Sequence, residues 1–194
     1  MNSLRTSSCL SILGLAALSP AMWAAGVQAP GIPNFQQVNE RIFRGGQPSQ
    51  EGFQNLAKLG VKTVIDLRRE NEEGEHSTQA EKKMVETAGM RYVNVPMKGI
   101  VAPTDEQVSK VLAAMDAPGT VFVHCKKGKD RTGTVVACYR ITHDSWKNQK
   151  ALAEAKSLGL HWVEMGMKSY INAFRGIPAA VVAAPAAPAP AAAQ

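Results

Sequence analysis

The stretch HCKKGKDRTG, residues 124–133, places one thiol, Cys125, among three lysines and an arginine. An uncharged segment, TVFVHC, precedes the thiol and predicts a strand, and a helix is predicted to begin near Thr132. Ligands of open α/β sheets bind at the carboxyl ends of strands, which is where this loop falls. Backbone amides of such a loop, together with a helix N-terminus, form an anion-binding nest, and Gly128 permits the tight curve. The loop is therefore predicted to bind phosphate.

The residue types in this loop also predict a reaction. A helix N-terminus and neighbouring cations favour the thiolate form of Cys125, which is the nucleophilic form. Arg131 lies six residues further on, and its planar guanidinium can hold two phosphate oxygens at once. A thiolate beneath a clamped phosphate indicates phosphoryl transfer, driven by positioning and charge stabilisation. Lys129 is followed by Asp130 instead of Ser or Thr, so the loop is not a nucleotide P-loop. The simpler interpretation is a basic surface loop with an incidental cysteine.

The segments that must position this loop alternate between strands and helices. The β-branched segments VKTVIDL and MRYVNVPM predict two further strands, at 61–67 and 90–97. Caps and apolar spacing predict helices over 50–59, 78–88, 104–115, 132–143, 149–158 and 162–175. Trp146, Trp162, Met165 and Met167 lie at helical spacing and are predicted to be core residues. This order predicts an α/β fold with a short, mostly parallel central sheet flanked by helices and a helix-rich C-terminal half.

The two ends of the chain differ from its centre. Residues 1–25 have the build of a secretory signal peptide, with cleavage near Ala24–Gly26, and predict a periplasmic or secreted protein. The apolar run is short for a membrane span, so no span is expected once the leader is removed. Residues 177–194 are rich in alanine and proline and are predicted to be disordered. The folded domain is then 27–176, which is long enough for one core and is expected to be a monomer.

Charge and cysteine content narrow the possible partners. The 194 residues carry a formal net charge of +6, which favours anionic partners. No zinc-finger spacing or aromatic-rich RNA signature occurs, so no nucleic acid is expected. Cys138 lies almost two turns along the predicted helix, too far from Cys125 for a disulfide. The remaining histidines, His76, His143 and His161, lack metal-ligand spacing.

HCKKGKDRTG resembles the signature loop of the cysteine-dependent phosphatases, the superfamily of protein tyrosine and dual-specificity phosphatases, with its pattern His-Cys-five residues-Arg-Ser/Thr. RIFRGGQPS and VKTVIDLRRE also resemble the bacterial dual-specificity branch, and the resemblance covers most of 38–175. It implies a phosphatase that hydrolyses phosphate monoesters through a cysteinyl-phosphate, without a metal or other cofactor. In that reaction Cys125 attacks phosphorus, and Arg131 binds the phosphoryl oxygens. His124 holds the loop and helps to keep the thiol ionised, and Thr132 hydrogen-bonds the sulfur.

One part of the resemblance is incomplete. These phosphatases use an aspartate on a separate loop to protonate the leaving oxygen, and at its place this chain has Lys98 and Gly99. The nearest candidate is Asp105, although an acidic residue in the first turn of a helix is also favourable by itself. Asp130, inside the loop, is a second candidate and could instead pair with a lysine. The third option is no dedicated acid, which suits substrates with good leaving groups such as phosphoanhydrides.

The lysines bear on the substrate. A basic loop with Lys126, Lys127 and Lys129 resembles those of phosphatases acting on phosphoinositides or inositol polyphosphates, since clustered charge favours multiply charged ligands. The lysines could equally serve only the thiol, so phosphotyrosine or phosphoserine proteins remain an alternative substrate. The substrate-binding set is predicted as residues 126–131, which adds Gly128, Asp130 and Arg131 to the lysines.

Further basic residues and two other functions stay open. Arg44, Arg68 and Arg69 are predicted to line the mouth of the site or to be surface charge. A phosphate-binding module that kept the loop but lost the acid is an alternative function. A sulfurtransferase is another, although the Arg131-Thr132 pair argues against it.

Overall fold

The computed structural model describes residues 28–72 and 74–177, so the predicted leader and the alanine- and proline-rich tail lie outside the described residues. Its centre is a five-stranded sheet with the order β1-β2-β5-β3-β4, in which only the short β1 is antiparallel to its neighbour. The strands are β1 Gln36–Gln37, β2 Ile42–Gly45, β3 Val61–Asp66, β4 Arg91–Asn94 and β5 Thr120–His124. The prediction of a short, mostly parallel sheet is confirmed.

Six helices flank the sheet in the described residues: α1 Gln50–Lys58, α2 Thr78–Thr87, α3 Asp105–Met115, α4 Asp130–His143, α5 Asn148–Ser157 and α6 Met165–Ala173. The predicted caps are present. The Ser49 side chain accepts a hydrogen bond from the Gly52 amide, and Thr104 and Gln107 form a capping box that starts α3. Such caps satisfy amides that the first turn of a helix leaves unpaired.

The core lies on both faces of the sheet, and β5 contributes to both. Val121 and Val123 pack with α3 and α4 residues on one face, whereas Phe122 packs with Phe53 and Leu56 of α1 on the other. Because β5 lies between β2 and β3, the residue after it, Cys125, emerges at the middle of the sheet edge. The loop predicted from the sequence to do chemistry is thus carried by the central strand of the sheet, in which Val121–His124 are buried.

The C-terminal helix differs from its prediction. It starts at Met165 instead of 162, because the chain makes turns at 161–164 first. Trp162 and Met165 were predicted to be core residues, but they are 76% and 65% exposed. The buried face of α6 is supplied instead by Met167 and Ile171, which pack against α5. The prediction was right for Met167 and wrong for the other two.

Two smaller findings concern the rest of the chain. Cys125 and Cys138 are both free, buried thiols. Among the described residues, no helix combines the length and the apolar character needed to cross a membrane.

Candidate active site

The loop that follows β5 is held from behind by the N-terminal part of the domain. Three successive carbonyls of the loop accept hydrogen bonds from this part. The three bonds run from Gln47 N to Lys126 O (3.1 Å), from Asn34 Nδ2 to Lys127 O (2.8 Å) and from Arg44 Nη2 to Gly128 O (2.8 Å). Because the N–H of a peptide unit points opposite to its C=O, the amides of Lys127, Gly128 and Lys129 point away from this scaffold, which is the orientation that the predicted anion nest requires.

Gly128 is the one loop position that no other residue type would fit. Its φ is +70°, and a Cβ added there would lie 2.2 Å from the carbonyl carbon of Gly45. The loop therefore presses its backbone directly against the end of β2, and the glycine permits both the left-handed conformation and the contact. α4 begins immediately afterwards at Asp130, two residues earlier than predicted.

Arg44 lies behind the loop. The sequence predicted that it would line the mouth of the site or be surface charge, and both predictions are wrong. Its side chain is 1% exposed, and its Nε and Nη1 atoms have no hydrogen-bond partner among the residues that the structure describes. Burial lowers the pKa of Arg44 to about 10, an effect that the negative charges of Cys125 and Glu154 partly offset. The guanidinium is thus a buried cation that fixes the Gly128 carbonyl and adds positive charge behind the loop.

Arg131 is the residue predicted to bind the phosphate oxygens, and in this structure its guanidinium binds the carboxylate of Glu72. Its Nη1 and Nη2 atoms donate to the two carboxylate oxygens of Glu72, at 2.6 and 2.5 Å. Nη1 also lies 3.3 Å from the Met97 carbonyl oxygen, which joins the loop to the segment after β4. Burial would raise the pKa of Glu72, but Arg131 outweighs it and holds that pKa below the usual range. This fork-to-carboxylate pairing is the geometry with which arginine binds phosphate.

His124 belongs to a buried ionic cluster beneath the loop. In the parallel ladder, His124 lies opposite Asp66, and its Nε2 is 2.8 Å from Glu81 Oε1, an ion pair without the alignment of a hydrogen bond. Burial would lower the pKa of His124, but the negative charges of Glu81 and Asp66 outweigh it and raise the pKa to about 9. The ring is therefore positively charged at neutral pH and places a cation next to Cys125.

Arg68 completes the cluster. It donates to both carboxylate oxygens of Asp66, at 3.1 and 2.7 Å, and to Glu81 Oε2 at 2.5 Å. All four charged side chains are fully buried, so two cations and two anions balance without solvent. Tyr92 donates to Asp66 as well, at 2.8 Å. Asp66, Glu81 and His124 lie close enough to hold a metal ion, but Arg68 and Tyr92 already occupy the carboxylates.

Thr132 and the three lysines are the remaining predicted residues of the loop. The Thr132 hydroxyl is buried and has no hydrogen-bond partner in the described part of the chain, so its bond to the Cys125 sulfur stays a prediction. Lys127 is exposed, and Lys126 and Lys129 are half-buried. They therefore add positive charge to the loop.

The two candidate acids are both engaged elsewhere. Asp105 Oδ1 accepts a hydrogen bond of 2.7 Å from Tyr170, and the residue lines a cavity of about 460 Å³ together with α6 residues. Asp130 Oδ1 accepts a bond of 2.7 Å from the amide of His161 and so ties the segment before α6 to the loop. Lys98, at the position where relatives carry the acid, is exposed. These contacts do not show which group protonates the leaving oxygen, so the roles of Asp105 and Asp130 as acids stay predictions.

Sequence reasoning missed several supporting residues. Arg68 was predicted to line the mouth or to be surface charge, and both alternatives are wrong: it is buried, because its partners Asp66 and Glu81 lie inside. Asp66 could have been found, since it ends β3 beside the end of β5 in a parallel sheet. Glu72 lies in a polar loop whose composition carries no signal of its contact. Glu164 is 6% exposed, and burial together with the charge of Asp130 raises its pKa, so this carboxyl holds a proton more strongly than usual.

Comparisons with known proteins agree with this geometry. The family profile PTP-NADK, described as "DSP-PTPase phosphatase fused to NAD+ Kinase", matches residues 27–171. The dual specificity protein phosphatase TpbA of Pseudomonas aeruginosa UCBPP-PA14 is 31% identical over 143 residues, covering 73% of this chain and 60% of that protein. The inositol diphosphatase DSP2 of Oryza sativa is 32% identical over 130 residues, covering 63% and 60%.

Solved structures give the same picture for the fold. The crystal structure of P. aeruginosa TpbA superimposes with a TM-score of 0.64 at 26% identity, covering 77% of this chain and 89% of that one. The catalytic core of the S. cerevisiae phosphatase SIW14 has a TM-score of 0.65 at 23% identity, covering 76% and 89%, and shows the likeness of fold. This chain spans about 60% of the length of the first curated relatives. Its matched residues nevertheless include the complete loop and the strands β3 and β5 that support it. The chain therefore belongs to the dual-specificity phosphatase family of the cysteine-dependent phosphatases.

Proposed function

We propose that this protein is a phosphatase that hydrolyses phosphate esters through a cysteinyl-phosphate on Cys125. The observation that carries the proposal is the loop itself: a thiol at the centre of the sheet, amides turned away from a fixed scaffold, and Arg131 with its fork already in a bidentate contact. These are the parts that phosphoryl transfer requires, since positioning and charge stabilisation supply most of the rate.

In the first step the thiolate of Cys125 attacks phosphorus. The bond between phosphorus and the leaving oxygen breaks, and that oxygen takes a proton from an acid or leaves as the anion. The loop amides and Arg131 hold the three other oxygens. The phosphate thereby replaces the Glu72 carboxylate at some of the guanidinium N–H groups of Arg131. In the second step water attacks phosphorus and the phosphorus–sulfur bond breaks. Thr132 donates a hydrogen bond to the departing sulfur, which returns as thiolate.

The substrate is proposed from two sources of support. Relatives are described as a dual specificity protein phosphatase and as an inositol diphosphatase, which correspond to phosphorylated proteins and to inositol phosphates. The lysines at the rim favour a multiply charged ligand. Lys98 at the usual acid position favours a leaving group that needs little protonation, as in a diphosphate.

The experiment compares kcat/KM for an aryl phosphate, a phosphotyrosine peptide, an inositol polyphosphate and an inositol diphosphate. Asp105→Asn, Asp130→Asn and Glu164→Gln are measured with each substrate. If a carboxyl donates the proton, its variant loses activity on the phosphotyrosine peptide, whose phenol is a poor leaving group. It keeps its activity on an aryl phosphate with an electron-poor phenol, which leaves without a proton. Equal activity of all three variants on every substrate supports hydrolysis without a dedicated acid. Tight phosphate binding without turnover of any substrate would instead support the phosphate-binding module, which Lys98 and Gly99 at the usual acid position favour.

We also propose that the protein is exported to the periplasm or secreted, on the pattern of residues 1–25. Fractionation of cells that express the full chain, followed by N-terminal sequencing, tests this. An exported protein that begins near Ala24–Gly26 is the expected result, and an intact N-terminus in the cytoplasm contradicts it.

A further inference from the structure

The exposed large apolar side chains of the described residues all lie on two segments beside the catalytic loop. The first segment, residues 98–102, is part of the connection between β4 and α3. The second, residues 161–166, comprises the turns before α6 and the first two residues of that helix. The side chains, called here the apolar rim, are Ile100 (78% exposed), Val101 (45%), Trp162 (76%), Val163 (48%) and Met165 (65%). Apolar side chains gathered at one place on a surface mark an interaction site more often than scattered ones do.

The two segments touch each other and are fixed to the loop. A Cβ added at Gly166 would lie 3.0 Å from the Ala102 nitrogen, so the segments are in backbone contact. Asp130 accepts a hydrogen bond from the amide of His161, and Arg131 lies within hydrogen-bond distance of the carbonyl of Met97. The apolar rim is therefore held in place next to the mouth of the site.

Lysines border the apolar rim. Lys98 is exposed and precedes Ile100 by two residues. The aliphatic stem of Lys129 packs against Gly159, just before the second segment. Lys168 donates a hydrogen bond to the carbonyl of Trp162 and so keeps its ammonium group at this segment. Tryptophan and aliphatic tips with lysines around them form the combination that binds at the interface of a membrane with anionic lipids.

The shape of the apolar rim also favours a membrane over a peptide. A bound peptide needs a groove or a sheet edge. Ile100 and Trp162 instead are more than three-quarters exposed, on connecting segments. The cavities between α3 and α6 and between α1 and α2 are lined by other residues. A freely diffusing inositol phosphate offers nothing apolar for these side chains to contact.

We propose that the apolar rim inserts into the surface of a bilayer rich in anionic phospholipid, while Lys98, Lys129 and Lys168 contact its headgroups. This docking would place the mouth of the phosphate pocket against the membrane surface. It requires no turnover, so it can fail or hold independently of the phosphatase reaction.

The test is sedimentation of the chain from residue 26 onward, the proposed exported form, with vesicles of phosphatidylcholine alone or mixed with phosphatidylglycerol. The wild-type chain is expected to bind the mixed vesicles more tightly and to lose binding with added salt. Ile100→Ser/Trp162→Ser should weaken partitioning by about tenfold or more, since two large apolar contacts are lost. Lys98→Gln/Lys168→Gln should weaken it by about tenfold, whereas the matched pair Lys62→Gln/Lys82→Gln, on the exposed surface elsewhere, should not. All chains lack the leader, because its apolar run would bind vesicles by itself and its Trp23 would add to the fluorescence.

A second readout does not depend on the folding of the double variant. Trp162→Phe should keep wild-type binding but lose the fluorescence quenching that lipids brominated on their acyl chains produce in the wild type. Hydrolysis of a soluble aryl phosphate should be equal in all these variants. Wild-type vesicle binding by Ile100→Ser/Trp162→Ser, or equal quenching in Trp162→Phe, would overturn the inference. So would a loss confined to turnover of a phosphopeptide with apolar flanks, which would assign the apolar rim to a polypeptide.

Discussion

Replacing His124 by glutamine should change how the stability of the protein depends on pH. In the folded protein, Glu81 and Asp66 raise the pKa of His124 to about 9, from an ordinary value of 6.5. The folded state therefore binds a proton that the unfolded chain has already lost between these two values. Stability from this group is fully present below the unfolded pKa and is lost as pH rises through the folded pKa.

The size of the effect follows from that difference. One pKa unit corresponds to about 1.4 kcal/mol, so the whole shift of His124 is worth about 3 kcal/mol. From about pH 6 to about pH 8, the wild-type free energy of unfolding should fall by about 2 kcal/mol through His124 alone. His124→Gln has no ring to titrate and should lack this slope. With a urea m-value of about 2 kcal/mol/M, the slope moves the unfolding midpoint by about 1 M.

Urea titrations followed by circular dichroism at several pH values measure the slope for both chains. Both should carry Cys125→Ser, so that the loop thiol contributes nothing to the pH dependence of either chain. Cys138 is common to both, and burial raises its pKa, so its effect cancels in the difference. Parallel curves of stability against pH for the two chains would refute a protonated His124. An offset between parallel curves would show only that glutamine packs less well.

Three further predictions concern the loop and its clamp. Glu72→Gln should bind orthovanadate about fivefold more tightly, because a neutral amide competes less with an anion for Arg131, and inhibition curves with an aryl phosphate measure this. Arg44→Met should lower kcat/KM by about tenfold or more through the lost bond to the Gly128 carbonyl, with partial recovery in Arg44→Lys; equal rates would contradict a positioning role. Arg131→Lys should lower kcat/KM by about 100-fold or more, since lysine cannot bind two oxygens in one plane, and steady-state rates test it.

The fold was largely predictable because its signals are local. Ser49 and Thr104 cap the helices predicted for them, and the β-branched segments VKTVIDL and MRYVNVPM form β3 and β4. α6 was the exception. Trp162 has the spacing of a buried helical residue, but nothing covers it in the described residues, and its exposure is decided by the packing of the neighbouring turn.

The site was predictable only where one loop carries it. Cys125 and Arg131 are fixed by spacing within that loop, so sequence alone identified them. Glu72 and Glu81 reach the loop from distant segments, and charge patterns in a polar stretch do not show which carboxylate is buried. The register of β3 against β5 decides that Asp66 faces His124, and this register is a property of the whole sheet.

The claim that Cys125 carries the phosphoryl group can be measured directly. Wild-type protein is mixed with an aryl phosphate, quenched in acid during turnover, digested and analysed by mass spectrometry. Thr132→Ala, which should slow hydrolysis of the intermediate, serves to enrich it. The account predicts one added phosphoryl group on the peptide that contains Cys125 and none in Cys125→Ser, which should also lack turnover. A phosphoryl group on another residue, or wild-type turnover by Cys125→Ser, would contradict it.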